Sequence, residues 1–220
     1  MALYRCLFVT FKLFLQQTIK MKKGLFVALF CITISSFCQE NFDVSAVETF
    51  QKKLNVEFAD KDESPLTDED RAVFNSLEYF PISAKYFVIA QFSRTENEKS
   101  FEMKTTKERR PIYVKYGELA FTIDEKPFKL NLYKNIELSK KEDYKDYLFL
   151  PFSDNTNGKE SYIGGRYIDM KVPKGDRVVI DFNTAYNPYC AYNYKYSCPI
   201  VPLENILDID INAGVKKFHN

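Results

Sequence analysis

The sequence predicts a mainly β fold, either an antiparallel β-sandwich or a partly open barrel, with one or two α-helices at its N-terminal side. From residue 84 onward, apolar and polar residues alternate with a period of two, and turn-forming residues separate these stretches. The chain also has 20 Phe and 15 Tyr but no Trp, and aromatic residues favour strands. We therefore expect seven or eight short strands in one β-rich domain at 84–220.

A helical arm is predicted before this domain, at 39–83. Ser45 begins the pattern of a capping box, and apolar residues at helical spacing follow it, which predicts a helix from Ser45 to about Phe58. Thr67 predicts the cap of a shorter helix that continues through Leu77. The two helices are expected to pack on one edge or end of the sheet.

The strands of the domain are predicted one by one from the alternating stretches. Turn signals rich in Gly, Pro, Asp and Asn separate most of them, as in the segments 124–127 and 154–158. The predicted strands lie at 84–92, 100–106, 111–123, 127–134, 146–152, 161–170 and 176–182, with a last one near 206–211.

Residues 1–38 are predicted to be a signal peptide, with translation starting at Met21. Two lysines precede an apolar run that ends at Ile34, and Cys38 closes a small-x-small cleavage site. The run is too short to cross a bilayer comfortably, so we expect export to the periplasm or the extracellular space and no stable membrane span in the mature chain. Two less favoured alternatives are a lipoprotein anchored through Cys38 and an uncleaved anchor; the bulky Phe37 disfavours the lipoprotein.

The charge and the histidine content exclude several function classes. Without the first 38 residues the chain has 26 basic and 30 acidic residues, so no basic excess attracts nucleic acid. The one histidine, His219, is far from the cysteines in the sequence. We therefore predict no metal site, no cofactor and no nucleic-acid partner.

Cys190 and Cys198 are the only cysteines that would remain after cleavage, and in an exported protein such a pair predicts a disulfide. Free structural thiols are the first alternative. Metal binding or nucleophilic chemistry is a weaker one, because both need further ligands or a histidine base.

Three polar clusters are candidates for a site, and the first lies at 151–169. It contains Asp154 in a predicted turn and a Gly-Gly pair followed by Arg166 and Tyr167. Glycine inside a strand pattern indicates a bulge or a close approach, and an arginine placed there could bind a carboxylate or a phosphate. The alternative is an internal ion pair between Arg166 and Asp169 or Asp181.

The second cluster leaves the end of a predicted strand, where sheet proteins often present polar side chains. Its polar members are Asp181, Asn183, Tyr186 and Asn187.

The third cluster contains Glu204 and Asn205 after two prolines. Glu204 and Asp181 are candidate acid–base residues, with Arg166 stabilising negative charge.

These clusters resemble a bacterial family catalogued as domain of unknown function 1684, over about residues 48–219. The segments that carry the resemblance are "LFLPFSDNTNGKESYIGGRYID", "DFNTAYNPYCAY" and "CPIVPLENILDIDINAG". The family has no established activity, so the resemblance implies a set of shared residues and not a reaction. Those residues are Asp154, Thr156, Gly158, Gly164, Gly165, Arg166, Tyr167, Asp181, Asn183, Tyr186, Asn187, Cys190, Cys198 and Asn205.

Three functional hypotheses follow. The first is a pocket for a small anionic or polar ligand, anchored by Arg166. The second is a hydrolase or lyase that uses Asp181 or Glu204 as a base. The third is a structural or interaction module of the envelope. The pocket residues of the first hypothesis are Asp154, Arg166, Tyr167, Asp181, Asn183, Tyr186, Asn187 and Asn205.

Overall fold

The alternating stretches form one curled antiparallel sheet in a computed structural model, which describes residues 41–219. The strand order is β6-β5-β4-β3-β1-β7, and the short β2 pairs with β3. The mainly β prediction is confirmed, and the curled sheet corresponds to the partly open barrel. The strands are β1 Phe87–Arg94, β2 Phe101–Glu102, β3 Ile112–Ile123, β4 Lys126–Asn135, β5 Tyr147–Phe152, β6 Arg166–Lys171 and β7 Arg177–Asp181.

The main core lies on the inner face of this curled sheet. Alternate residues of six strands contribute to it, as the period of two requires. Its most buried members include Ala90, Leu119, Leu130, Leu132, Leu148, Leu150, Phe152 and Ile180.

The C-terminal segment completes this core. Leu207, Ile211 and Ala213 are buried within it. The strand predicted near 206–211 is not formed, because the segment makes only a single parallel bridge, between Ser153 and Ile206. Apolar residues alternate in this segment because it packs into the interior of the curled sheet. It does not pair as a strand at the edge of the sheet.

A β-bulge in β3 places Tyr113 on the outer face of the sheet. The register with β4 shifts between Lys115 and Gly117, so one extra residue lies between them. Tyr113, before the bulge, therefore packs in an aromatic cluster on the outer face, whereas Leu119, after it, packs in the core. Without the bulge, the even spacing of these two residues would place them on the same face.

Two α-helices precede the sheet, α1 (Val44–Ala59) and α2 (Asp68–Val73). The predicted cap of α2, Thr67, is confirmed, since its hydroxyl accepts the N–H of the third helical residue at 3.1 Å. The predicted cap of α1 is wrong by two residues. Asp43 caps this helix, and its carboxylate accepts the N–H of Ser45 at 2.9 Å. The predicted helix through residue 77 ends earlier, because the backbone is already extended at residue 74.

α1 packs against a second, smaller core. Leu54 and Phe58 on its buried side contact Tyr192 and Val215, so the helix covers both the segment after β7 and the C-terminal segment. This packing holds α1 beside the outer face of the sheet.

The predicted signal peptide at 1–38 lies outside the described residues. Within 41–219, neither helix has the length and the apolar character that a membrane crossing requires.

Candidate functional site

A cavity of about 910 Å³ opens on the outer face of the sheet. Strands β3, β5 and β6 form its floor, while α1 and the segment 186–199 form its walls. Pockets of this size accommodate small organic molecules. Its aromatic lining consists of Phe50, Tyr113, Tyr147, Phe149, Tyr167, Tyr186, Tyr189 and Tyr196.

Strand alternation explains why β5 and β6 contribute to this floor. Phe149 pairs with Asp169 across the two strands, and Tyr167 lies two residues before Asp169 on the same face. Tyr147 lies two residues before Phe149, again on the outer face. The residues between them point into the core, so each strand serves the core and the cavity at once.

Asp169 is the acidic centre of the cavity floor. Its Oδ1 atom accepts the Tyr186 hydroxyl at 2.6 Å and the Tyr147 hydroxyl at 2.8 Å. Among the described residues, no hydrogen bond reaches Oδ2 and no Lys, Arg or His forms an ion pair with this carboxylate. Because Asp169 is exposed, one carboxylate oxygen is held in place by the protein and the other is open to water or to a ligand.

The two phenols that support Asp169 remain protonated at neutral pH. Burial, together with the nearby Asp169 carboxylate, raises the pKa of both Tyr147 and Tyr186 above the ordinary value. Both hydroxyl groups therefore donate their protons to Asp169, and towards the cavity they present only oxygen lone pairs.

Tyr167 is fixed by hydrogen bonds at both ends. Its backbone N–H and carbonyl pair with those of Tyr186 at 2.9 and 3.0 Å, and its hydroxyl donates to the carbonyl of Pro199. Burial raises the pKa of this phenol as well. The Tyr167 ring is nearly perpendicular to the rings of Tyr186 (89°) and Phe149 (75°), so the three rings form adjoining walls.

Charges of both signs surround the mouth of the cavity. Lys53 and Glu57 of α1 form an ion pair at 3.7 Å, and the Arg109 guanidinium donates to the carbonyl of Ser197 at 2.6 Å. Lys141 and Glu137 also line the opening. The rim thus has no strong preference for either sign, in contrast to the floor.

Arg166, the predicted ligand anchor, lies on the inner face and not in the cavity. It is fully buried, and its guanidinium forms an ion pair with Asp154 at 2.7 Å. The same group donates to the carbonyls of Ile211, at 2.8 Å, and Ala213. The alternative prediction was an internal ion pair of Arg166 with Asp169 or Asp181. An internal ion pair does form, but its partner is Asp154.

Asp154 is also occupied within the protein. Its Oδ1 atom accepts the backbone N–H of Thr156 at 2.9 Å and that of Ile211 at 3.2 Å. The Arg166–Asp154 pair therefore joins the turn after β5, the strand β6 and the C-terminal segment.

The three predicted asparagines are buried and bind the backbone. Asn205 donates to the carbonyls of Asn131 and Pro151, and Asn183 binds both backbone groups of Ser83. Asn187 donates to a carbonyl near the C-terminus. None of the three lines the cavity.

The candidate acid–base residues are separated from the cavity. Asp181 caps a 3-10 turn by accepting the N–H of Asn183 at 3.0 Å, and burial raises the pKa of Asp181. It lines a different, shallow groove beside β6 and β7, and Glu204 is exposed. Neither carboxylate lines the aromatic cavity.

Cys190 and Cys198 are free thiols in the structure, so the predicted disulfide is not formed there. The Cys198 sulfur accepts the backbone N–H of Cys190 at 3.1 Å. A hydrogen bond between the two side chains lowers the pKa of Cys190 to about 6 and raises the pKa of Cys198. Cys198 lines the cavity wall, so the pair lies beside the candidate site.

Of the eight predicted ligand-binding residues, Tyr167 and Tyr186 line the cavity. Sequence reasoning missed Asp169, Tyr147 and Tyr113. A signal for the first two was present, because "DYLFLPF" and "RYIDMK" place aromatic or acidic residues on the face opposite their apolar ones. A signal for Tyr113 was Gly117, a glycine inside a strand pattern, which lies at the bulge that turns Tyr113 outward.

The described residues contain no group of three or more His, Cys, Asp or Glu side chains that could hold a metal ion.

The model of the family described as "Protein of unknown function (DUF1684)" matches residues 72–216. The chain belongs to this family. The resemblance seen in the sequence is thereby confirmed, and it brings no activity with it.

Among solved structures, an uncharacterized protein of Haloarcula marismortui, determined by solution NMR, is similar to the chain. The two are 31% identical with a TM-score of 0.62, over 78% of this chain and 92% of the other. No curated protein matches the chain.

Proposed function

We propose that the protein binds a small organic molecule in the aromatic cavity. The observation that carries the proposal is the state of Asp169, an exposed residue of the cavity lining whose Oδ1 is fixed by two tyrosines while its Oδ2 has no partner among the described residues. A half-paired carboxylate on a rigid aromatic floor is a pre-formed polar contact inside an apolar pocket, which is typical of ligand sites.

Binding is favoured over the hydrolase or lyase hypothesis. Asp181 and Glu204 do not line the cavity, and Arg166 is paired with Asp154 on the other side of the sheet. The envelope-module hypothesis accounts for the buried pair and the buried asparagines. It gives no reason for an open cavity floored by tyrosines.

A screen of metabolites by thermal shift tests the proposal, with a variant that obstructs the cavity. Lys53 of α1 lines the mouth, so Lys53→Trp should abolish the stabilisation that a ligand gives to the wild type. Lys52, its exposed neighbour, does not line the cavity, and Lys52→Trp is the matched control. Hits that stabilise wild type and both variants equally would contradict binding in this cavity.

We further propose that the protein is exported. The support is the leader pattern of residues 21–38, a basic head, an apolar run and a small-x-small cleavage site. The N-terminal sequence of protein purified from expressing cells should begin near Gln39. An intact Met1 or Met21 would refute cleavage.

In an oxidising compartment, Cys190 and Cys198 are expected to form a disulfide, since their side chains are already in contact. Counting thiols in denatured protein after export tests this. Two reactive thiols would contradict it.

A further inference from the structure

We propose that the ligand of this cavity is an organic ammonium compound, with its cationic group held by Asp169 and the surrounding tyrosine rings. This inference rests on the proposed binding function and names its ligand class.

The first argument is the direction of the hydrogen bonds on the floor. Tyr147 and Tyr186 donate to Asp169, and Tyr167 donates to the carbonyl of Pro199. All three hydroxyl protons are thereby used within the protein, and Asp169 Oδ2 is an acceptor. The polar atoms of these four side chains that a ligand can reach are therefore acceptors, so the ligand has to supply the donors.

The second argument is the uncompensated charge. Asp169 forms no ion pair among residues 41–219, and Arg166 is turned to the other face and paired with Asp154 at 2.7 Å. An anionic ligand head at the floor would meet a carboxylate without a neighbouring cation. A cationic head would complete the pairing that the protein leaves open.

The third argument is the arrangement of the rings. The Tyr167 ring lies nearly perpendicular to the rings of Phe149 (75°) and Tyr186 (89°), and all three residues line the same cavity as Asp169. The negative faces of aromatic rings attract ammonium groups, most strongly where water is displaced. Because the rim has charges of both signs, the remainder of the ligand is free to be polar.

Three probes of similar shape and different charge test the ligand class by calorimetry. They are benzyltrimethylammonium, the neutral 2-phenylethanol and the anionic 3-phenylpropionate. The ammonium compound is expected to bind at least about tenfold more tightly than either of the others.

An Asp169→Asn variant tests whether Asp169 is the residue that favours the ammonium probe. The amide keeps the size of the side chain but removes its charge, so affinity for the ammonium probe should fall at least about tenfold while the neutral probe changes by less than about twofold. The exposed Asp143 lies outside the cavity, and Asp143→Asn is the charge-matched control with no expected effect. Unfolding midpoints of both variants verify that they are folded.

The possible outcomes separate the two proposals. Tighter binding of the neutral or anionic probe, or an ammonium affinity unaffected by Asp169→Asn, overturns the ligand class and leaves a binding cavity. If no probe binds, the ligand class is also overturned, and the Lys53→Trp screen decides the binding function independently.

Discussion

Two carboxylates lie beside strand β6, one on each face of the sheet. On the inner face, Arg166 reaches Asp154, whose two oxygens are both occupied by protein donors. On the outer face, Asp169 is held through one oxygen by two tyrosines, and its second oxygen has no partner among the described residues. The first arrangement is closed and fully buried, while the second is open to a cavity.

Polar residues that stabilise the fold differ in this way from polar residues that are available to a ligand. A buried charge without a partner is costly, so the inner pair is satisfied within the protein, where of the side-chain nitrogens and oxygens of Arg166 and Asp154 only Arg166 Nε lacks a hydrogen-bond partner. A carboxylate at a cavity can be completed by water or by a ligand instead. Asn183 and Asn205 belong to the first kind, because their side chains bind backbone groups.

Arg166→Met should give the largest effect on stability. It leaves the Asp154 carboxylate buried and unpaired, and removing one partner of such a pair costs about 3–5 kcal/mol. Urea unfolding, followed by circular dichroism, measures the loss.

Asp169→Asn is the matched change on the opposite face, and it should alter the free energy of unfolding by less than about 1 kcal/mol. If both variants lost the same free energy of unfolding, the inner and outer carboxylates would not differ in their contribution to stability.

Gly165→Ala should give the next largest effect. Gly165 has φ +86°, and a Cβ atom there would lie 2.6 Å from the carbonyl oxygen of Phe152. Strain of this kind costs about 1–3 kcal/mol, and this turn is where the chain enters β6 immediately before Arg166.

Gly164→Ala is the control for that change. The three atoms nearest to its Cβ would all belong to the Tyr162 side chain, and a side chain shifts more easily than the backbone carbonyl that Gly165 approaches. A loss as large as that of Gly165→Ala would show that backbone strain is not the cause.

Tyr186→Phe should have a smaller effect, about 0.5–1.5 kcal/mol, because it removes one of the two hydrogen bonds to Asp169 and keeps the ring. The same change leaves Oδ1 held by Tyr147 alone, so the carboxylate is less firmly positioned and ligand binding is expected to weaken. An unfolding curve gives the first quantity and calorimetry the second. Tyr194→Phe, at an exposed tyrosine outside the cavity, is the control and should change neither.

The smallest effect concerns reactivity and not stability. Cys190 in the reduced protein should react with iodoacetamide as a thiolate, with a half-maximal rate near pH 6, since its pKa is lowered to about 6. The rate falls below that pH as the thiol becomes protonated. Cys198, whose pKa is raised, should react far more slowly. A midpoint near the ordinary thiol value of about 8.5 would contradict the contact between them.

The fold was largely predictable because, along each strand, apolar and polar residues alternate as they face the core or the opposite side of the sheet. Six of the seven strands coincide with long alternating stretches, and the cap at Thr67 follows from its side chain alone. Asp43 was missed because Ser45 fits a capping pattern equally well. The segment 206–211 was misassigned because its alternation arises from packing into the core and not from pairing in the sheet.

The site was less predictable, because charge and polarity do not show which face of a strand is open. Arg166 looked like an anchor beside the glycines, and only the fold shows that Asp154 and the carbonyl of Ile211 occupy it. Tyr113 reaches the cavity through a bulge at Gly117, a residue that fits a turn between strands as well as a bulge within one. Tyr167, which the first polar cluster included beside Arg166, does line the cavity.

The C-terminal segment sets the order in which this protein is able to fold. Ile211 and Ala213 supply acceptors for Arg166, and Gly214 accepts the N–H of Phe80 at 2.9 Å, more than a hundred residues earlier in the chain. The curled sheet therefore cannot close around its charged centre until residues 211–214 have been synthesised. Until then the earlier strands have an incomplete interior.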